Sequence, residues 1–212
     1  MTGVRMVSEQ RAQRTERIAP QIDHWWFPDE RLAGRQSDSY SVYTRAGAIF
    51  VDPLPMTYAA AEAYPAVAYA LLTRACHQRA SWRYRYEHGA RVASPRYSPG
   101  LKTEPEVSYV EGTRMPADFR AIHAPGPEWN HYAFYHPGEE VSALFIGELV
   151  HRWDSESPLQ LSAVEPGLDP EISRRSVEKL LDLDFDLLCM SHGGYIDFQP
   201  KIELAELLDR RA

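Results

Sequence analysis

Short apolar segments that each end in a cluster of polar residues constrain the fold of this chain more than any other feature. Three of them, at 67–72, 141–146 and 186–190, have the length and composition of buried strands. The first runs into T-R-A-C-H-Q-R at 73–79, the second into Gly147-Glu148 and the third into S-H-G-G at 191–194. Because polar residues at strand ends often carry the chemistry of enzymes built from strands and helices, these clusters are the candidate site.

The remaining pattern predicts strands alternating with a few helices. Further strands are expected at 18–27, 39–45, 48–52, 91–94, 119–123 and 132–136. Helices are expected at 57–64, 79–88 and 201–210, and another should begin with Asp169 as N-cap and Pro170 in its first turn. Two hairpins stand out, one turned by Ala46-Gly47 and ending at Asp52-Pro53, the other turned by Pro137-Gly138. Residues 94–116 read as loop, and 1–17 as a frayed start of a single domain that spans 1–212.

Composition limits the partners of this chain. Its 30 acidic and 23 basic residues give a formal charge of −7, which disfavours nucleic acid and anionic membranes as partners. Two cysteines make no disulfide framework, and no signal leader or membrane-length apolar stretch is visible, so a reducing cytoplasmic location is expected. Neither composition nor pattern predicts an oligomeric state.

The order of these motifs resembles the metallo-β-lactamase fold, and its glyoxalase-II-like hydrolase branch in particular. The hairpin S-Y-S-V-Y-T-R-A-G-A-I-F-V-D-P is similar to the first hairpin of that family, and 73–79 to its H-x-H-x-D-H motif. The segments A-P-G-P-E-W-N-H, F-I-G-E and M-S-H-G-G resemble its later T-P-G-H-T-P-G-H, F-x-G-D and P-G-H-G segments. The resemblance implies an α+β fold, a four-layer αββα sandwich of two mixed β-sheets with outer helices.

The same resemblance implies that most metal ligands of the family are replaced. Arg74, Cys76, Gln78 and Arg79 stand where the first motif has His, His, Asp and His. Pro127 stands at the next histidine, Glu148 replaces the bridging aspartate, and His192 alone is unchanged. Because a guanidinium stays protonated and only donates, arginine cannot ligate a dication. We therefore expect no metal and no other cofactor.

Three side chains remain as candidates for chemistry: Cys76, Glu148 and His192. They could hold one soft metal ion, or Cys76 could act as a nucleophile with His192 as its base. Both ideas compete with an ordinary packed cysteine. His77 follows Cys76 directly, so in extended chain the two side chains would point apart, and His77 is expected to be a structural hydrogen-bonding residue. His131 is likewise expected to be structural, near the pocket.

Two classes of function follow from these residues. The first is a protein without the dinuclear site that binds, without hydrolysing it, a small anionic or thioester-like molecule, or a protein partner. Arg74, Cys76, Gln78, Arg79, Glu148 and His192 would line that pocket. The second is an enzyme, either a metal-independent hydrolase or lyase that uses Cys76 and His192, or a single-metal hydrolase. Whether the chain is an enzyme stays open at this point; an ester or thioester would be its substrate. For Glu148, an ion pair with Arg74 or Arg79 is expected, because an unpaired charge at a buried strand end is costly.

Overall fold

The computed structural model describes residues 10–154 and 156–210. Its strands are β1 Glu16–Ala19, β2 Ile22–Asp29, β3 Arg35–Thr44, β4 Gly47–Val51, β5 Val67–Leu71, β6 Arg91–Pro95, β7 Val107–Tyr109, β8 Arg120–His123, β9 Tyr132–His136, β10 Ala143–Gly147, β11 Val150–His151, β12 Gln160–Leu161, β13 Leu187–Met190 and β14 Tyr195–Ile196. Its helices are α1 Tyr58–Ala61, α2 Ser81–His88, α3 Ile172–Leu181 and α4 Pro200–Asp209.

Two mixed sheets make up the centre of the molecule. In the first, β1 to β7 lie side by side in chain order, with β1 to β4 antiparallel and β4 to β7 parallel. The second has the order β14-β13-β10-β9-β8, in which only β10 and β13 run parallel. The small ribbon of β11 and β12 stands apart from both.

Most of the buried apolar side chains among the described residues lie in three layers. One lies between the sheets and joins Val42, Ile49 and Leu71 to Phe134 and Phe145. A second layer packs α3 and α4 on the outer face of the second sheet, and a third packs α1 and α2 on the outer face of the first. Because each sheet buries both faces, helix, sheet, sheet and helix follow one another through the molecule. This confirms the predicted four-layer αββα arrangement.

Both predicted hairpins are present. In the one formed by β9 and β10, His136 pairs with Ala143, and Gly138 has a φ of +58°. A side chain on Gly138 would place its Cβ 2.0 Å from the carbonyl oxygen of Val141, so this turn requires glycine. Glu148 follows the last residue of β10 directly, at the strand end predicted for it.

Several element boundaries differ from the prediction. The single strand expected at 18–27 is a hairpin, β1 and β2, turned at Pro20-Gln21, and residues 94–116 contain β7. The N-cap assignment of Asp169 is wrong, because α3 begins only at Ile172. Asp169 instead accepts the backbone N–H of Glu171 on Oδ1 and that of Ile172 on its carbonyl oxygen, which makes a turn before the helix.

The frayed start predicted for 1–17 is wrong from Gln10 onward. Ala12 is 1% exposed, donates its N–H to the carbonyl of Pro55 and accepts from the N–H of Thr57. Residues 1–9 lie outside the described residues. Within the described parts of the chain, no helix has the length and apolar character needed to cross a membrane. The cytoplasmic location stays a prediction.

Candidate functional site

The polar clusters at the strand ends meet in one cleft of about 420 Å³ between the edges of the two sheets. Its lining comprises Asp29, Arg31, Leu32, Ser37, Cys76, His77, Gln78, Arg79, Lys102, Glu148 and His192. The loop at 126–131 joins the same region, because Glu128 bonds to Arg74 and His131 contacts the backbone at Glu148. The loops at 74–79, 126–131, 148–154 and 192–194 therefore converge on one region.

Arg74 lies between two carboxylates. Its Nη1 donates to Oε2 of Glu148 at 2.5 Å and its Nη2 to Oε2 of Glu128 at 3.0 Å. The side chain of Arg74 is 16% exposed and that of Glu148 is 31% exposed, so the pair is only partly shielded from water. The predicted ion pair of Glu148 with one of the two arginines is confirmed, and the arginine is Arg74.

Arg79 has a different environment. Its Nη1 donates to the carbonyl oxygens of Asp38 at 2.5 Å and Asp52 at 2.9 Å, and its Nη2 lies 3.5 Å from that of Ser191. The backbone of Arg79 has a φ of +38°, which non-glycine residues rarely adopt. This guanidinium thus links β3 to the ends of β4 and β13 in the cleft.

Gln78 holds a loop in place at the rim of the cleft. Its Nε2 donates to the carbonyl of Gly100 at 3.0 Å, and its Oε1 accepts the N–H of Lys102 at 2.7 Å. Sequence reasoning did not identify Lys102 as a site residue, although it lines the cleft. Arg31, also missed, makes a two-point contact with Asp29, at 2.9 Å from Nε to Oδ1 and 2.6 Å from Nη2 to Oδ2.

Asp52 is the most heavily hydrogen-bonded carboxylate of the site. It accepts from the N–H and Oγ1 of Thr73 at 2.8 and 2.6 Å, from Nδ1 of His77 at 2.8 Å and from Oγ of Ser191 at 3.0 Å. Burial by itself would raise the pKa of Asp52, but His77, Arg79 and Thr73 outweigh it and lower the pKa to about 2. Asp52 is therefore an anion that joins three loops.

His77 faces two carboxylates with its two ring nitrogens. Nδ1 contacts Asp52, and Nε2 lies 3.5 Å from Oε2 of Glu148. The expectation of a structural hydrogen bond is confirmed, whereas the expectation that His77 points away from Cys76 is wrong. Ligand atoms of Cys76, His77 and Glu148 all lie within 4.8 Å of one another, a spacing that could hold a metal ion. The third possible ligand beside Cys76 and Glu148 is thus His77, whereas the sequence suggested His192.

His192 lines the cleft beside these residues. Its ring centre lies 6.2 Å from that of His77, and its Nδ1 is 3.0 Å from the carbonyl oxygen of Gln36. Burial, together with Arg79 and His77, lowers the pKa of His192 to about 4. His192 is consequently neutral at neutral pH, with Nδ1 as the donor to Gln36.

Cys76 combines exposure with a thiol that resists ionisation. The residue is exposed at the mouth of the cleft, yet desolvation on the side that faces the cleft raises its pKa to about 11. Glu148 and Glu128 act in the same direction, and Arg74 opposes them. The thiolate is a small fraction at neutral pH, which disfavours the predicted use of Cys76 as a nucleophile.

Gly147 allows these loops to approach one another. Its φ is +63°, and a Cβ there would lie 2.6 Å from Nε2 of His131 and 2.9 Å from Oγ1 of Thr73. His131 is fully buried, with Nδ1 2.8 Å from the carbonyl of Ala124 and Nε2 accepting the N–H of Glu148. The structural role expected for His131 fits these contacts.

Comparison with solved structures identifies the fold. A metallo-β-lactamase from Pontibacter korlensis superposes with a TM-score of 0.72 and 16% identity, over 95% of this chain and all of that one. A metallo-β-lactamase from Erythrobacter litoralis gives a TM-score of 0.71 and 16% identity, over 92% and 95% of the two chains. TTHA1623, solved in a di-iron-bound form, gives 0.63 and 24% identity over 83% and 93%. The chain therefore has the metallo-β-lactamase fold. No protein-family model and no curated protein matches its sequence.

Proposed function

We propose that this protein uses the metallo-β-lactamase fold without a dinuclear metal centre and binds a small anionic molecule in the cleft. The contact of Arg74 with Glu148 carries the proposal. Glu148 stands where the family has the carboxylate that bridges two metals, and a guanidinium cation already lies 2.5 Å from one of its oxygens. A dication bound to the same oxygen would be repelled by that guanidinium.

The donor set does not fit two metal ions. A dinuclear centre of this type needs several neutral imidazoles and carboxylates around two dications. At the positions that the resemblance assigns to these ligands stand two arginines, a glutamine and a proline, Arg74, Arg79, Gln78 and Pro127. The polar ends of Gln78 and Arg79 are also engaged by backbone groups. We derive no chemistry through a pair of metals.

The charges of the cleft favour an anion. Asp29 is paired with Arg31, and Glu148 with Arg74. The charge of Arg79 is opposed by the buried anion Asp52, which leaves Lys102 as the lining cation without an ion-pair partner among the described residues. A carboxylate or phosphate would gain a charge-assisted hydrogen bond from Lys102 at the rim, where the side chain can adjust to the ligand. A reducing cytoplasmic location, in which both cysteines stay thiols, belongs to the same proposal.

Calorimetric titration with succinate and with inorganic phosphate tests the binding proposal. Lys102→Met should weaken anion binding about tenfold or more, because one charge-assisted hydrogen bond is lost. Lys201→Met, on α4 and outside the cleft, is the matched control and should bind as the parent does. Absence of binding by both anions, or equal affinity in the Lys102 variant, would contradict the proposal.

A single-metal site is the second candidate, favoured by the spacing of Cys76, His77 and Glu148. Two features disfavour metal binding there. The raised pKa of the Cys76 thiol keeps it protonated, whereas a metal requires the thiolate, and a metal ion would repel the adjacent guanidinium of Arg74. Zinc titration of the parent and of Cys76→Ser distinguishes the two. Tight zinc binding that the substitution abolishes would favour the metal site over the anion site.

A further inference from the structure

A second cavity, of about 820 Å³, lies at the edge of the second sheet where β8 is the last strand. It shares no lining residue with the cleft. Arg120, at the start of β8, lines this cavity. The other end of β8, His123, pairs with Tyr132, whose N–H donates to the carbonyl of Thr73 beside the cleft. The cavity is therefore separate from the cleft and lies towards the opposite end of β8.

Two arginines face each other in this cavity. Arg114 and Arg120 are partners in an isolated antiparallel bridge, so their side chains project from the same face of the sheet. Both residues are exposed, and neither guanidinium has a hydrogen-bond or ion-pair partner among the described residues. Like charges placed directly opposite each other repel. An anion bound between the two guanidiniums would remove that repulsion.

A neighbouring ring and a strained turn define this arrangement. Arg120 pairs with Tyr135 across β8 and β9, and its guanidinium carbon lies 4.4 Å from the centre of the Tyr135 ring. A guanidinium stacked on a ring keeps the N–H groups at its edge free for an anion. The turn before β8 passes through Ala117 and Asp118, whose φ values of +49° and +60° non-glycine residues rarely adopt. Strained backbone of this kind concentrates at ligand sites, and here it brings Arg120 back alongside Arg114.

The other charged residues of the cavity leave a positive excess. Lys179 and Glu111 pair with each other, at 2.7 Å from Nζ to Oε1. Asp118 is the remaining acid of the lining, so the two guanidiniums are opposed by one carboxylate. On a chain with a formal charge of −7, this local excess favours an anion over a cation or a neutral ligand.

Much of the remaining lining is apolar. Met115, Phe119 and Ile122 are 5%, 2% and 8% exposed and border the cavity together with Leu183 and Pro137. An inorganic anion would leave this surface in water, whereas an apolar or aromatic group attached to the anion would cover it. The lining therefore fits a ligand with a charged end and an apolar end.

We infer that this cavity binds phosphate monoesters whose alcohol part is apolar or aromatic. Guanidinium groups form paired hydrogen bonds with phosphate oxygens, and two of them match the nearly double charge of a monoester at neutral pH. The apolar group would lie over Met115, Phe119 and Ile122. A carboxylate carries one charge and two oxygens, so it would engage only one of the two arginines. The inference does not depend on the proposed function, because the cavity and the cleft have no lining residue in common.

Calorimetric titration with phenyl phosphate at pH 7.5 tests the inference, in the Lys102→Met protein so that the cleft contributes least. Phenyl phosphate should bind more tightly than inorganic phosphate or benzoate. Arg114→Gln and Arg120→Gln should each weaken its binding about tenfold or more, because each removes charge-assisted hydrogen bonds. Arg91→Gln is the matched control, since Arg91 also stacks on a tyrosine, Tyr69, but lies on β6 outside the cavity.

The unfolding temperature gives a second readout. In the ligand-free protein at low salt, Arg114→Gln should raise it, because the substitution relieves the repulsion between two like charges. Phenyl phosphate should raise the unfolding temperature of the parent and raise that of the variant much less. An unchanged or lower unfolding temperature for ligand-free Arg114→Gln would contradict the inference, since the two arginines would then not be held against each other.

Several binding results would overturn the inference. They are absence of phenyl phosphate binding, binding that both arginine variants retain in full, and a loss of the same size in Arg91→Gln. Benzoate binding as tight as that of phenyl phosphate would also overturn it, because the second arginine would have no role. If phenyl phosphate binds the parent but not the Lys102→Met protein, it occupies the cleft instead, which overturns this inference and supports the proposed function.

Discussion

Arg74 donates from Nη1 to Oε2 of Glu148 across the cleft, and this contact joins the loop that follows β5 to the loop that follows β10. In a metal-dependent member of this fold, ions would join the same two loops. Here a guanidinium supplies the positive charge, and it also reaches Glu128 on a third loop. The geometry explains how the loops can stay together although most of the expected ligands are replaced.

Loss of the carboxylate of Glu148 should destabilise the protein. Glu148→Gln leaves Arg74 partly buried with only Glu128 as its partner, and the expected cost is about 1–3 kcal/mol, since water reaches the pair. Urea unfolding measures it. Arg74→Met alone should also cost stability, and the double variant should cost less than the sum of the single ones. Glu139→Gln on an exposed turn is the control. Additive costs would show that the pair is not coupled.

Arg79 should be essential for stability more than for binding. In Arg79, Nη1 donates to the carbonyl oxygens of Asp38 and Asp52, and Nη2 lies 3.5 Å from that of Ser191. The single ammonium of Arg79→Lys cannot reach all three in the same geometry. The expected loss is about 2–3 kcal/mol in the free energy of unfolding. The exposed Arg45→Lys serves as the matched control. A cost equal to that of the control would contradict the role of Arg79 in holding the strand ends.

The thiol of Cys76 should react slowly despite its exposure. Because its pKa is raised to about 11, alkylation by iodoacetamide should be slow at pH 7.5 and should accelerate about tenfold per pH unit towards that value. Arg74→Gln should slow it further, since Arg74 favours the thiolate. Cys189→Ala confines the measurement to one thiol. Rapid alkylation at pH 7 would instead indicate an activated cysteine and revive the nucleophile hypothesis.

Lowering the pH should destabilise the fold already at pH values well above the pKa of its carboxylates. The folded state keeps His131 and His192 neutral down to about pH 4, whereas in the unfolded chain they take up protons near pH 6.5. The unfolded state therefore binds more protons between these values, and stability falls as the pH is lowered through that window. Asp52, ionised in the fold to about pH 2, adds a further loss below about pH 4.

The pH dependence of urea unfolding between pH 8 and pH 4 measures this effect. In His192→Gln the slope of stability against pH in that window should be shallower than in the parent, because one of the imidazoles with a lowered pKa is gone. His88→Gln should retain the slope of the parent. An unchanged slope in the His192 variant would show that this imidazole is already solvated in the fold.

The sequence was sufficient for the architecture and for the place of the cleft. Alternation in 39–45 and the apolar segments predict individual strands. The two mixed sheets and the edge at which their loops meet follow from the resemblance that the order of the strand-end clusters carries. The helix start at Asp169 failed for a local reason. The Asp169 side chain accepts a backbone hydrogen bond, as an N-cap residue does, but the bond closes a turn that ends before the helix begins.

The orientation of His77 could not be derived by counting along an extended chain. Residues Ala75–Gln78 form a turn of 3-10 helix, in which successive side chains rotate by about 120° rather than 180°. Cys76 and His77 can therefore both face the cleft. Lys102 was not predicted as a site residue for another reason. It reaches the site through a loop whose course depends on the side chain of Gln78, a contact between residues 24 positions apart.

The metal content of the purified protein tests the central claim most directly. The protein should be produced in medium supplemented with zinc, iron and manganese and purified without a metal-chelating column. Elemental analysis by mass spectrometry then counts the metal that stays bound through gel filtration. The ion pair of Arg74 with Glu148 predicts far less than one equivalent of any of the three metals per chain. One or two equivalents of the same metal in repeated preparations would contradict it.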